Sequence, residues 1–401
     1  MGKYFTIKKH FDYSFLYLFF WIFVFAGAGL FVFLTQFQLM RLWIPIVLFF
    51  IFYKNISFRL GYYTKFWLLF FCAYSVYTFV ISIFTNVSMN DMINFFILIL
   101  IIILNCFIFS DIKINTLKLF IHAVDLFFLI TTIIAVYEII TKRHLPVSRV
   151  NEWVDFKKFT PSTFYANPND YVCVLWLLHF TKIFLKKDFF SEKCKFCDFV
   201  TFTILIIMSF ITGARLIQLV IIVFILIYLL QKFPRFVIFF FCMGVIYLFF
   251  SKLDVRISEK ITEEFSNHGS NEIRKNLYIS AIRSFTRYDN ILGYGINQSV
   301  VYFQRDLNSD LYTGDILAPH SYIFEVLLNS GFFFMCLTII IPIFQFVFFY
   351  KKKKYHIAAF SLCYLIVLFS AASSLFLWPH YICYTILFVT QDIIVDKRRY
   401  R

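Results

Sequence analysis

Long apolar runs set the rhythm of this chain. Stretches such as "SFLYLFFWIFVFAGAGLFVFL" from Ser14 and "NFFILILIIILNCFIFS" from Asn94 carry hydrophobic residues on every helical face, as a buried or membrane helix does. Twelve such runs lie at about 14–34, 41–53, 66–84, 92–110, 117–141, 169–186, 198–212, 215–231, 235–251, 320–350, 356–377 and 380–395. Most reach or approach the ~20 residues that cross a bilayer core. The pattern predicts an all-α polytopic membrane protein with about twelve transmembrane helices, forming one integral domain over 1–401. The first run is too long for a signal-peptide core and has no clear small-residue cleavage site, so it is expected to remain as the first span.

Polar residues gather in the connections. Two of these are longer than simple turns, 142–168 and 252–319. The first is a short basic loop with Lys142, Arg143, Arg149, Lys157 and Lys158. The second carries eight basic and nine acidic residues. Within it "NEIRKNLYISAIRSF" spaces Ile273, Leu277, Ile279 or Ser280, and Ile282 roughly as an amphipathic helix does, which is expected to lie against the outer membrane surface.

Composition agrees: 61% of residues are hydrophobic and 23% aromatic. A net charge of +15 would suggest nucleic acid in a soluble protein, but here it reads as loop charge that orients the spans. With the N-terminus in the cytoplasm, 23 of the 38 Lys and Arg fall on the cytoplasmic side. Seven fall outside once the long loop, which crosses largely regardless of charge, is set aside. Both termini are therefore placed in the cytoplasm and both long loops outside. The Cys194–Cys197 pair has no second pair to complete a metal site, so neither a metal nor a cofactor is expected.

Candidate chemistry lies at the outer ends of the spans. His320 follows Pro319 where the long loop re-enters the membrane, and is expected in the first turn of the tenth span, where free N–H groups suit an anion. The alternative is an interfacial ring. Arg215 follows the tight turn Thr212–Gly213–Ala214, so its guanidinium stays close to the bundle and suits a bidentate phosphate, unless it only snorkels. Arg274 lies in the loop helix beside Lys275, where a solvated charge is the plainer reading, and Arg283 and Arg287 lead into "NILGYGINQ". Gly293 and Gly295 there suit a tight turn better than a phosphate cradle. Within the spans Asp125 has no evident basic partner, and both it and Glu138 read as interior hydrogen bonding before proton relay. Glu325, five residues after His320, sits on a different helix face and is poorly placed to orient it.

Together these segments resemble the bacterial O-antigen polymerase and O-antigen ligase superfamily. "FITGARLIQLV" is similar to the family's Thr-x-Ser-Arg turn, with Ala214 in place of Ser. "NEIRKNLYISAIRSFTRYDNILGYGINQ" resembles its Arg-led loop helix and Leu-Gly-x-Gly turn. "APHSYIFEVLLNSGFFFMCL" is similar to its His-Asn-x-x-Leu…Gly segment, with Ser321 in place of Asn, and "FTPSTFYANPNDYVCVL" to its Gly-x-Phe-x-x-Pro-Asn segment. The resemblance runs from about 160 to 345. It implies the GT-C class of lipid-dependent glycosyltransferases, in the bacterial inner membrane with the active site outside. It also implies an undecaprenyl-diphosphate-linked oligosaccharide as donor, membrane lipid as surroundings, and no nucleic acid. His320 would be the general base, and Arg215 with Arg274 or Arg283 would hold the diphosphate. Polymerase is preferred to ligase on the Pro-Asn segment and the long Arg274–His320 stretch; a chain-length regulator protein is a further partner to test. A polysaccharide flippase is the competing class, and it would make Asp125 and Glu138 the critical residues.

Overall fold

The structure is a computed structural model and describes residues 14–27, 39–53, 60–85, 87–110, 116–153, 157–193, 195–232, 270–287, 291–296, 298, 319, 321–370 and 378–395. Within these the protein is helical and has no strand. The helices are α1 (Ser14–Ala26), α2 (Leu39–Tyr53), α3 (Tyr62–Phe84), α4 (Met89–Ser110), α5 (Thr116–Thr141), α6 (Pro168–Phe184), α7 (Phe196–Ile211), α8 (Arg215–Lys232), α9 (Ser270–Arg287), α10 (Tyr322–Lys351), α11 (Tyr355–Ser370) and α12 (Trp378–Val395). α9 is the expected loop helix. The other helices overlap predicted spans, and the run 235–251 lies outside the described residues. By length and composition α3, α4, α5 and α10 are apolar enough to cross a membrane; α1, α7, α8, α11 and α12 are shorter apolar helices. The chain is thus a helical membrane protein.

Local sequence explains the helix ends. Asn167 caps α6 by accepting from the Asn169 amide at 2.9 Å, and Pro168 follows, where its missing N–H costs nothing. α3 is capped by a residue from the far end of the chain. Asp392 of α12 accepts from the amides of Tyr63 and Thr64, each at 2.8 Å, and from the Thr64 hydroxyl at 2.5 Å. A carboxylate there satisfies orphan N–H groups and complements the helix dipole. Gly61 makes room for it: a Cβ would stand 2.0 Å from the Asp392 carboxyl carbon. Asp188, in a π-helical turn after α6, accepts likewise from the Ile357 amide at 3.1 Å and contacts His356 at the start of α11.

α6 and α12 form the centre, buried on all sides through 171–182 and 380–392. Their neighbours pack through rings, as where Trp67 of α3 stacks on Phe388 with centroids 5.0 Å apart.

One expectation needs correction. Asp125 does have a basic partner, Lys182 of α6, whose Nζ donates to it at 2.6 Å and to Thr201 at 2.9 Å, and lies 3.1 Å from Asp198. Lys186 donates to Asp198 at 2.7 Å. Three helices thus share two carboxylates and two ammoniums, with Lys182 fully buried. The pairing escapes sequence inspection because its members lie 57 residues apart in the chain.

Candidate active site

The turn between α7 and α8 closes tightly. The Ala214 amide donates back to Ser209 O at 3.0 Å and Gly213 adopts φ +66°, the left-handed end that glycine takes without strain. Gln218 of α8 also donates to Ser209 O, at 2.9 Å. This places Arg215 in the first turn of α8 with an exposed side chain.

α9 forms as predicted but packs on α10 rather than facing lipid alone. Leu277 and Ala281 meet Leu328 and Tyr294 in a small apolar cluster, and Tyr278 stacks on Phe324 at 5.0 Å. Ile282, assigned to the apolar face from its spacing, points outward instead. Tyr294 donates its hydroxyl to Ser284 O and its amide to Leu328 O, so later α9 residues lie beside later α10 residues and the two segments run in the same direction. Arg274, one turn before Tyr278, therefore sits toward the start of α10. Arg283 lies nine residues further on, rotated by roughly 180° about the helix axis. Both are exposed, but α9 cannot aim both at one phosphate.

α10 is not one continuous helix. Gly331 has φ 83° and ψ 178°, a combination essentially restricted to glycine, and it separates 322–330 from 332–351. The latter segment alone is ~30 Å long, enough to cross the hydrocarbon core. Tyr322 and Ile341 line one cavity, although an unbroken helix would hold them roughly 28 Å apart along its axis. The "ILGYGI" strap fills the break. Tyr294 and Gly295 donate to Leu328 O and Asn329 O at 2.8 and 2.9 Å, and Phe332 donates back to Ile291 O at 3.1 Å. The strap is also tied to α3: Tyr77 donates to Leu292 O at 2.6 Å, and the Ile296 amide donates to the Ser82 hydroxyl at 2.9 Å. The two glycines expected to permit a tight turn do so, with φ 92° at Gly293 and 95° at Gly295, and they also allow close approach. A Cβ on Gly293 would lie 2.6 Å from Asn329 O.

The start of α10 meets the start of α12. Ser321 is the N-cap and Tyr322 the first helical residue. His320 itself lies outside the described residues. Here Tyr322 and Tyr381 share a hydroxyl–hydroxyl hydrogen bond of 2.7 Å, and His380 Nε2 bonds the Tyr364 hydroxyl at 2.6 Å. These residues, with Tyr74, Tyr384, Trp67 and Phe71, border a cavity of about 40 Å³. Sequence reading passed over His380, since a histidine after Trp-Pro near a span end carries no motif. Its setting appears only when α10, α11 and α12 converge.

The loop 142–168 is anchored by Glu138, which accepts from the amides of Ser162 and Thr163, both at 2.9 Å, as interior hydrogen bonding predicted. His144 faces the same carboxylate at 3.4 Å and bonds Lys158 O at 2.7 Å. Tyr165 donates to Phe25 O, and burial raises its hydroxyl pKa well above the usual range. Lys142, Arg143, Arg149 and Lys157 remain exposed around this anchor. Among the described residues no group of His, Cys, Asp and Glu could hold a metal ion.

No curated protein matches the chain. The family model described as O-antigen ligase matches residues 199–339, from α7 to the middle of α10. That segment carries Arg215, α9, the strap and the break in α10, and over it the chain is similar to the O-antigen ligase family.

Proposed function

We propose that this protein is an O-antigen polymerase that joins undecaprenyl-diphosphate-linked oligosaccharide repeat units outside the inner membrane. The observation that carries the reading is the O-antigen ligase match over 199–339, which takes in both the Arg215 turn and the α9–α10 assembly. In the transfer, His320 accepts the proton of the acceptor hydroxyl, whose oxygen attacks the anomeric carbon of the donor. The bond from that carbon to the diphosphate oxygen breaks, and the lipid diphosphate leaves with the electron pair. An imidazole suits the proton transfer because it titrates near working pH. Arg215 and Arg274 bind the developing phosphate charge through their planar forks. Arg274 is preferred to Arg283 because it lies toward the start of α10, which His320 directly precedes in sequence. The outer loop 142–168, basic and fixed by Glu138, attracts the anionic donor.

Polymerase is preferred to ligase on the Pro168–Asn169 segment and on the long Arg274–His320 stretch. The flippase alternative is weakened by the fixed partners of its two key carboxylates, Lys182 for Asp125 and two backbone amides for Glu138. The test is glycan chain length in cells lacking the gene, complemented with wild type, His320→Ala or Arg215→Ala at matched membrane levels. A single repeat unit in both variants, against long ladders in wild type, supports the polymerase. Long chains retained on the carrier lipid would make it a ligase. Normal ladders from both variants would refute the mechanism.

A further inference from the structure

α10 runs into four consecutive lysines, Lys351 to Lys354, and the turn they form is strained. The Lys354 amide donates to Phe349 O at 2.9 Å and the Lys353 amide to Tyr350 O at 3.0 Å, the paired bonds that close a helix through a left-handed residue. That residue is Lys353, with φ 56°, where glycine is the usual choice and a Cβ is unfavourable. Lys354 is taken up by the fold. Its ammonium donates to Asp188 O in the turn after α6, and the Asp188 carboxylate accepts from the Ile357 amide. Lys351, Lys352 and Lys353 are exposed, and none of them is paired with a carboxylate among the described residues. The bonds to Asp188 also bring its neighbour Lys187 to this turn.

The segment before the turn shows what these charges meet. The stretch 332–351 is ~30 Å long, the thickness of the hydrocarbon core, so Lys351 lies at the level of the headgroups. Phe344 and Val347, on the same helix face as Lys351, are 53% and 41% exposed, as lipid-facing residues are. Tyr350 and Tyr355 are exposed on either side of the lysines, where interfacial tyrosines sit. Apolar surface that ends in unpaired ammoniums fits a molecule with both parts, an acyl chain and an anionic headgroup. A soluble acidic partner would use the charges but not the apolar approach.

We propose that Lys351, Lys352 and Lys353, with Lys187, bind the headgroup of an anionic phospholipid whose acyl chains lie along Phe344 and Val347. The Lys and Arg count places this turn on the cytoplasmic side, so the lipid belongs to the inner leaflet. Lys353 keeps its strained backbone because its charge contributes to the site. Each lysine at an anionic surface strengthens binding roughly 5-fold, so three together contribute on the order of 100-fold.

The experiment uses full-length protein in a neutral detergent. Native mass spectrometry follows the binding of phosphatidylglycerol and of phosphatidylcholine with the same chains. Wild type should prefer phosphatidylglycerol by roughly 100-fold, and Lys351→Gln/Lys352→Gln/Lys353→Gln by less than ~10-fold, with phosphatidylcholine binding unchanged. Lys353→Gly separates charge from strain. It should lower the preference about 5-fold while raising the unfolding temperature in lipid-free detergent by about 1–3 °C. A wild type without the preference, or a triple variant that keeps it, overturns the proposal. So does an equal loss from Lys193→Gln/Lys195→Gln, which would show diffuse charge in place of a site. Displacement of phosphatidylglycerol by an equal amount of inorganic phosphate would make the ligand a free phosphate and overturn the lipid assignment. A Lys353→Gly protein that gains stability and keeps the full preference overturns the role given to Lys353.

Discussion

Replacing Gly331 by alanine should undock the strap from α10. The added Cβ would lie 2.2 Å from Ile291 O and 2.7 Å from the Leu292 carbonyl carbon, both backbone atoms that cannot rotate away. At φ 83° and ψ 178° a non-glycine residue also costs about 1–3 kcal/mol. Moving the strap to relieve the clash breaks the bonds from Tyr294, Gly295 and Phe332, worth about 0.5–1.5 kcal/mol each. Together the perturbation amounts to roughly 2.5–7.5 kcal/mol against the docked strap. Amide hydrogen exchange resolves this locally. Tyr294 and Gly295 should exchange at least ~100-fold faster in Gly331→Ala, while amides in the centre of α6 hold their rates. Chain elongation should fall with it, because the strap joins the arginine-bearing helix to α10. Gly213→Ala is the control: its φ is also positive, at +66°, but a Cβ there meets nothing within 4 Å. Only a conformational cost of about 1 kcal/mol applies, and strap exchange should not change. If Gly331→Ala leaves Tyr294 and Gly295 protected as in wild type, the steric argument is wrong.

Other substitutions probe the remaining fixed points. Lys182→Met takes the amine from Asp125 and leaves Asp198 with Lys186, and should destabilise the bundle by about 1.5–3 kcal/mol in a denaturation series. Asp125→Asn should cost clearly less, since the Asp125 side chain is 30% exposed; equal effects would argue against a shared buried network. Asp392→Ala should cost about 2 kcal/mol by uncapping α3. Gly61→Ala should be damaging with Asp392 present and milder in the Asp392→Ala background, a non-additivity that a double-mutant cycle reads directly. Arg274→Ala should reduce chain elongation about 10²- to 10³-fold, more than Arg283→Ala, and the reverse order would reassign the loop phosphate ligand.

Hydropathy alone determined most of the secondary structure. A run of apolar residues in a membrane has one way to satisfy its backbone, so α3, α4 and α5 were legible as runs. The α7–α8 turn and the Asn167–Pro168 helix start were equally local, because glycine, proline and asparagine act through their own backbones. What joins distant segments was hidden. The tenth span read as continuous because Gly331 looks ordinary among apolar residues, and only the docked Ile291–Ile296 strap explains the break. Ile282 was misassigned to the apolar face because spacing alone does not say which neighbour a helix finds. Asp125 found Lys182, α3 found its cap in Asp392, and His380 found Tyr322 and Tyr364 across stretches of chain that no local pattern links. Local sequence chose the helices because backbone hydrogen bonding and apolar transfer act residue by residue. The tertiary structure chose the partners, because buried polar groups must be satisfied by whatever the packed bundle brings within reach.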